Sequence, residues 1–249
     1  MNRAWWCAWA VGCVLLAGLS LAKAAPPQAK SKAPSAQELM VRAHAARATW
    51  KDFPGFEAEV VLVVENKRVQ RKLTVTAELE VQWDQPLPPE FAAAGRRLLS
   101  VVQHRQANEG REYDVEFVPE KGRHPLGRLI RFNNDAMHSQ YRIRGELITQ
   151  VSRQTERGSF TITVLQAIRN REKKYLPRVY TVSFFGKPSA EGDSPPAASV
   201  RSSIVVMLDW ERVGRWDLPR RIRSVTAGSS GVKMEVIRLQ NHRLLPQGQ

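Results

Sequence analysis

Lys72-Leu-Thr-Val-Thr-Ala-Glu-Leu-Glu-Val-Gln-Trp83 alternates without a fault. Leu73, Val75, Ala77, Leu79, Val81 and Trp83 share one side, and Lys72, Thr74, Thr76, Glu78, Glu80 and Gln82 the other. Successive side chains of an extended chain point to opposite faces, so the stretch predicts one long strand with a buried face and a wet face. Residues 57–65 precede it as a second strand, and Asn66-Lys67 supplies the turn of a hairpin.

Period two continues outward from this hairpin. Tyr113, Val115 and Phe117 interleave with Glu112, Asp114 and Glu116, and further strands are predicted at 128–133, 139–144, 147–155, 159–169, 178–185, 201–211, 215–226 and 232–240. Their links are short and carry turn residues: Asn133-Asn134, Gly145, Gly158, Gly214 and 228–231. Parallel pairs need crossovers of a dozen residues or more, so short links mean an antiparallel meander. Two helical patterns interrupt it. Ser35-Ala-Gln-Glu38 is a capping box ahead of Leu39, Met40, Ala43 and Ala46 or Arg47, and Pro54-Gly55 predicts an end near Trp50. A second helix is predicted from about Pro89 to His104, with Phe91, Leu98, Leu99 and Val102 on its apolar side and Arg96, Arg97 and Arg105 elsewhere. The fold class is therefore α+β: a strongly curved, half-barrel-like antiparallel meander with two packed helices, spanning 35–245. Residues 186–199 are small, turn-prone and charged without periodicity, which predicts a flexible surface loop.

The N-terminus stands apart. Arg3 is followed by an uncharged run from Ala4 to Leu21, and Ala22-Lys23-Ala24 places small residues at −3 and −1 of a cleavage site. Residues 1–24 thus read as a secretory signal peptide, and Pro-, Ala- and Lys-rich 25–34 as a flexible linker. The rivals are an uncleaved anchor and acylation at Cys13. Cleavage after Ala24 removes two of the 38 basic residues and none of the 24 acidic ones, leaving a formal charge of +12 on a chain without cysteine. Disulfides, Cys-ligated zinc and a Cys nucleophile are then excluded. The expected product is periplasmic or extracellular, with no membrane-spanning segment.

Composition is that of a globular protein, 43% hydrophobic and 25% charged, with an unusual basic excess. No nucleophile elbow, phosphate loop or His-Glu-x-x-His pair is present, and the five histidines lack ligand spacing. No catalytic residue, metal or cofactor is expected. Basic clusters occur at Arg142 and Arg144, around Lys67 to Lys72, from Arg169 to Lys174 and at Arg220-Arg221-Ile-Arg223. They suit anionic headgroups, envelope polysaccharide or an acidic protein partner, and equally a sheet guarding its outer face and edges. Nucleic acid is not expected, because export removes it and no binding motif appears.

Several blocks resemble the family called domain of unknown function 3386. They are Arg47-Ala-Thr-Trp-Lys-Asp-Phe-Pro-Gly-Phe-Glu-Ala-Glu-Val60, Val101-Val-Gln-His-Arg105, His124-Pro-Leu-Gly-Arg128, Tyr141-Arg-Ile-Arg144 and Phe160-Thr-Ile-Thr-Val164. The likeness covers about 36–226 and implies no activity. Trp210-Glu-Arg-Val-Gly-Arg-Trp-Asp-Leu-Pro219 is similar to a hairpin of lipoprotein-carrier folds, which implies a helix followed by a curved antiparallel sheet with an apolar concave face.

Three functions stay open: a module binding a lipid or other amphiphile, an envelope assembly factor with an acidic partner, and an enzyme. For the first, inward-alternating Phe117, Phe160, Phe184 and Trp210 are the candidate lining, with Arg142 and Arg144 for an anionic head. Each aromatic serves equally well as ordinary core.

Overall fold

The computed structural model describes residues 33–246 except 108, 109, 111, 157 and 187–198. The expected signal peptide and most of the linker and of the 186–199 loop lie outside the described residues. The described elements are α1 (Ala36–Ala45), β1 (Phe56–Val64), β2 (Lys67–Val75), β3 (Val81–Trp83), a 3-10 turn (Pro89–Phe91), α2 (Ala92–Gln103), β4 (Val115–Phe117), β5 (Arg128–Phe132), β6 (Gln140–Arg144), β7 (Leu147–Thr155), β8 (Gly158–Arg169), β9 (Tyr175–Phe185), β10 (Val200–Val213), β11 (Trp216–Gly228) and β12 (Gly231–Leu244). The strands form one open, curved sheet in the order β3-β2-β1-β12-β11-β10-β9-β8-β7-β6-β5-β4, antiparallel throughout. Sheet neighbours are sequence neighbours everywhere but once: β1 pairs with β12, with Val60 opposite Leu239 and Leu62 opposite Ile237.

The capping box forms as read. The Ser35 hydroxyl accepts from the Glu38 amide at 3.1 Å, and the Ser35 amide donates to the Glu38 carboxylate at 2.8 Å. The helix stops at Ala45 rather than near Trp50, because the following backbone is drawn onto the sheet. Tyr175 N–H donates to Ala46 O at 2.7 Å, and Ala48 N–H donates to Tyr175 O at 2.9 Å.

The stretch 72–83 is not one strand. It reverses at Thr76–Glu80, where the Thr76 amide donates to Glu80 O and the Leu79 amide to Thr76 O, both at 3.0 Å. Leu79 takes a positive φ of 66° to make the turn. β2 then pairs with β3 so that Leu73 faces Trp83 and Val75 faces Val81. Odd residues meet odd residues across this hairpin. The alternation is therefore the same whether the chain runs straight or folds back.

Both helices lie on one face of the sheet and define two cores. α2 covers the β1, β2 and β10–β12 region, burying Leu98, Val101 and Val102 against Leu62, Leu73, Val206, Ile222 and Ile237. α1 covers the far end, burying Leu39, Met40 and Ala43 against Ile130, Tyr141 and Ile143. Arg97 of α2 is clamped by β12: its Nε and Nη2 both donate to one Glu235 oxygen, at 3.0 and 2.9 Å, and Ser224 Oγ donates to the same atom at 3.1 Å. This buried pair was not anticipated from the helical wheel, which set Arg97 among outward residues.

Candidate binding face

Directly paired residues on adjacent strands share a face. Following the register gives one row across seven strands: Phe117, Ile130, Tyr141, Val151, Ile162, Val182 and Ile204. A second row runs Arg153, Phe160, Phe184, Ser202, and a third runs Val164, Tyr180, Val206, Ser224. α1 closes the first row at Ile130 and Tyr141, and the α2 core closes the third at Val206. Between these covers, Phe160, Ile162, Val164, Val182 and Phe184 belong to neither core cluster. They are half-buried, except for Phe184, which is 38% exposed.

The other face of the same strands is polar. Gln150 donates to the Thr163 hydroxyl at 3.1 Å, while the Ser152–Thr161 and Ser183–Ser203 hydroxyl pairs meet at 3.0 and 2.9 Å. A sheet region with water on both sides would be expected to carry Ser and Thr on both. On β8 and β9 the hydroxyl residues stand on the outer face, while Phe160, Ile162, Val164, Val182 and Phe184 stand on the inner one, which turns polar only at Arg153 and Ser202 on the flanking strands.

The expected site residues divide. Phe160 and Phe184 face each other, ring centroids 6.2 Å apart, in the middle of the uncovered strip. Trp210 lies on the same sheet face but is tied down: its Nε1 donates to Pro177 O at 2.8 Å, and it packs against the α2 core. Phe117 sits at the far end, packed against the α1 core with the Arg128 guanidinium 3.2 Å from its ring centre. Arg142 and Arg144 are not brought to these aromatics. Arg142 pairs with Gln150 in the register and so stands on the polar face, where it grips Glu120 at 3.0 and 2.7 Å. Hydrogen bonding from Arg142 holds the Glu120 carboxyl below its ordinary pKa. Arg144 donates to Pro125 O at 3.3 Å.

A different set of arginines reaches the inner face, and sequence reasoning missed it. Arg105 was expected off the apolar side of its helix, yet it is only 5% exposed. Leu98, Val101, Val102 and Arg105 are spaced i, i+3, i+4, i+7, so Arg105 continues the buried stripe. That spacing was the available signal. Its guanidinium lies 5.4 Å from the Trp210 ring centre, Nη1 donates to Ala48 O at 3.1 Å, and burial, with Arg47 nearby, pushes its pKa down to about 9. Arg47 follows α1 and donates to His104 O at 2.6 Å. Arg153, next to Phe160 in the second row, donates to the Tyr141 hydroxyl at 3.1 Å. His104 keeps an exposed edge, but surrounding protein holds its pKa below the ordinary imidazole value. The charges of Arg105, Arg47 and Arg153 push the same way.

A depression of about 670 Å³ lies beyond α1, lined by His44, Arg47, Trp50, Tyr113, Asn170 and Asp217 among others, and holds none of the expected site residues. Two of its carboxylates are engaged: Asp217 accepts from Asn170 at 2.8 Å and from Arg212 at 3.2 Å, and Glu172 pairs with Arg212. No group of three or more His, Cys, Asp or Glu among the described residues could hold a metal ion. No helix among them is long and apolar enough to cross a membrane.

The family model described as "Protein of unknown function (DUF3386)" matches residues 31–245, running past 226 through β12. No curated protein matches the chain. Among solved structures the chain is similar to a LolA superfamily protein from Nitrosomonas europaea, at 10% identity and a TM-score of 0.37, covering 87% of this chain and 96% of that one. It is also similar to a putative outer membrane lipoprotein-sorting protein domain from Vibrio parahaemolyticus, at 8% identity and a TM-score of 0.33, covering 86% and 94%. A third is a DUF1329 family protein from Desulfovibrio piger, at 8% identity and a TM-score of 0.28, covering 86% and 93%.

Proposed function

The chain belongs to the DUF3386 family, and on that footing we propose that it is an exported binding module holding the apolar part of an amphiphile between its two helices. One observation carries the reading: five large apolar side chains, Phe160, Ile162, Val164, Val182 and Phe184, stand on the helix-bearing face and belong to neither core. Apolar area held out of a core is costly, and burying it under a ligand recovers roughly 25 cal/mol per Å². Contiguous apolar surface of this kind marks a ligand or partner site more often than it occurs idle. Phe160 and Phe184 keep their expected role as lining. Phe117 and Trp210 frame the strip from its two ends, and Arg142 and Arg144 act as braces of the 118–127 segment.

Export is part of the proposal, with cleavage after Ala24. N-terminal sequencing of protein recovered from its host should begin at Ala25; a retained Met1 or an acylated Cys13 contradicts it. Binding is tested by titrating a fluorescent fatty acid into mature protein, beside native mass spectrometry of host-purified material. Micromolar saturation, weakened in Phe160→Ala and Phe184→Ala, supports the reading. If wild type fails to bind any amphiphile at micromolar levels, the proposal is dead and its basic surface becomes the place to look for an acidic partner.

A further inference from the structure

We infer that Arg47, Arg105 and Arg153 together form an oxyanion site, carboxylate or phosphate, for the head of the ligand whose apolar part lies on the Phe160–Phe184 strip. The inference rests on the proposed function for its tail and on separate observations for its head.

The first observation is burial without a paired carboxylate. Arg97, Arg131, Arg142, Arg212, Arg215 and Arg221 each stand within 4.0 Å of a carboxylate, including the deeply placed Arg97 with Glu235, while arginines such as Arg128 and Arg144 lack one at exposed positions where water solvates them. Arg47, Arg105 and Arg153 have no such partner among the described residues. Their only acceptors are weaker: Ala48 O for Arg105, His104 O and the His44 ring for Arg47, and the Tyr141 hydroxyl with the Met137 sulfur for Arg153. The Nε atoms of Arg105 and Arg153 are buried with no hydrogen-bond partner at all. A buried cation with no directly paired counter-charge is unfavourable. Asp217 acts on Arg105 and Asp135 on Arg153 from beyond ion-pair distance, and the C-terminal ends of α1 and α2, from which Arg47 and Arg105 depart, add about half a negative charge each. Both carboxylates are engaged elsewhere, Asp217 by Asn170 and Arg212 and Asp135 by the Ser139 amide, so none of the three guanidinium groups has a carboxylate of its own.

The second observation is convergence. The three residues come from three elements, the ends of α1 and α2 and strand β7, yet Arg47 donates to the carbonyl of His104 beside Arg105, Arg105 donates to the carbonyl of Ala48 beside Arg47, and Arg153 donates to the hydroxyl of Tyr141, whose ring lies 6.3 Å from the His44 ring that Arg47 touches. The charges of all three also lower the pKa of His104. The third is position. Arg153 is the direct cross-strand neighbour of Phe160, and Arg105 lies over Trp210. Burial raises the pKa of Tyr180, and the charges of Arg97 and Arg105 oppose that rise only in part. An anion among the guanidinium groups therefore starts a chain that continues along Phe160 and Phe184. Planar guanidinium forks suit the flat geometry of carboxylate and phosphate oxygens.

The test compares a fluorescent 18-carbon fatty acid with its methyl ester, and both with inorganic phosphate, on mature wild type, Arg105→Gln, Arg153→Gln and Phe160→Ala. Wild type should favour the acid over the ester by about tenfold or more, the scale of one charge-assisted hydrogen bond. Arg105→Gln and Arg153→Gln should each erase that preference, weakening the acid far more than the ester, and Phe160→Ala should weaken acid and ester together. Arg105→Gln should also raise the melting temperature of the ligand-free protein, which a purely structural arginine would not do. Equal binding of acid and ester in wild type overturns the inference and leaves the proposed function standing. If neither lipid binds but millimolar phosphate raises the melting temperature of wild type and not of Arg105→Gln, the oxyanion site stands alone and the amphiphile reading fails. If acid, ester and phosphate all fail to bind, both fall. Arg153→Gln, on a partly exposed strand position, keeps the test available should Arg105→Gln not fold.

Discussion

The sheet beneath α2 and the sheet at β8–β9 are built from the same alternating pattern and end in opposite states. Under α2, Leu62, Val206, Ile222 and Ile237 are at most 2% exposed, and even a polar pair, Arg97 with Glu235, is taken into the interior. Two strands away, Ile162, Val164 and Val182 have the same residue types and are half-buried. Amphipathic patterning states which face is apolar. Whether a helix lies on that face is decided elsewhere in the chain, by the lengths of α1 and α2 and the points where they dock.

The largest effect should come from breaking the covered side. Glu235→Ala leaves Arg97 buried and unpaired and should cost about 3–5 kcal/mol in urea unfolding. A cost near zero would mean that α2 is only loosely held on β12. Leu98→Ala should cost about 2–5 kcal/mol, as full core truncations do, whereas Ile162→Ala should cost less than about 1.5 kcal/mol. Equal losses at Leu98 and Ile162 would abolish the distinction between the two regions. Phe160→Ala and Phe184→Ala should stay in the same low range while weakening amphiphile binding.

A gentler effect is expected from pH. Burial lowers the pKa of His242, whose ring stacks near Phe56 and whose Nε2 meets Pro219 O at 3.1 Å. The unfolded chain then binds a proton that the native ring resists, so stability is fully present above the ordinary value of 6.5 and is lost as pH falls through it. Urea midpoints at about pH 7.5 and 5.5 should differ in that direction, and less so in His242→Gln. The smallest change is predicted for Ser183→Ala on the polar face, within about 0.5 kcal/mol of wild type. A larger loss there would mean that the hydroxyl ladder, not the inner face, supports the middle strands.

Much of this was legible locally. Ser35 and Glu38 announced their helix, and the first hairpin, with its turn one residue earlier than the expected Asn66-Lys67, and the meander from 128 to 226 followed from side-chain period and turn residues. The candidate face was half legible: alternation put Phe160 and Phe184 on one side of their strands, where they pair, but it could not show that Arg142 stands on the other side. Arg142 and Arg144 looked accessible because they are polar residues on a strand, and they are braces. Arg105 looked peripheral because charge outweighed its place on the stripe of Leu98, Val101 and Val102.

The sequence by itself determined what local geometry determines: period two for strands, period 3.6 for helices, a cap at Ser35 and turns at Gly145 and Gly214. Tertiary structure decided the rest. It folded 72–83 back on itself, a choice to which odd-with-odd pairing leaves the alternation blind. It set β12 beside β1, a pairing between residues some 180 positions apart that no short pattern encodes. Among the described residues it also left the inner face of β8 and β9 outside both cores, and it buried Arg105 over Trp210. Patterning selects a face for each segment, but what covers the face is a long-range competition among many similar apolar surfaces, settled only when the whole chain packs.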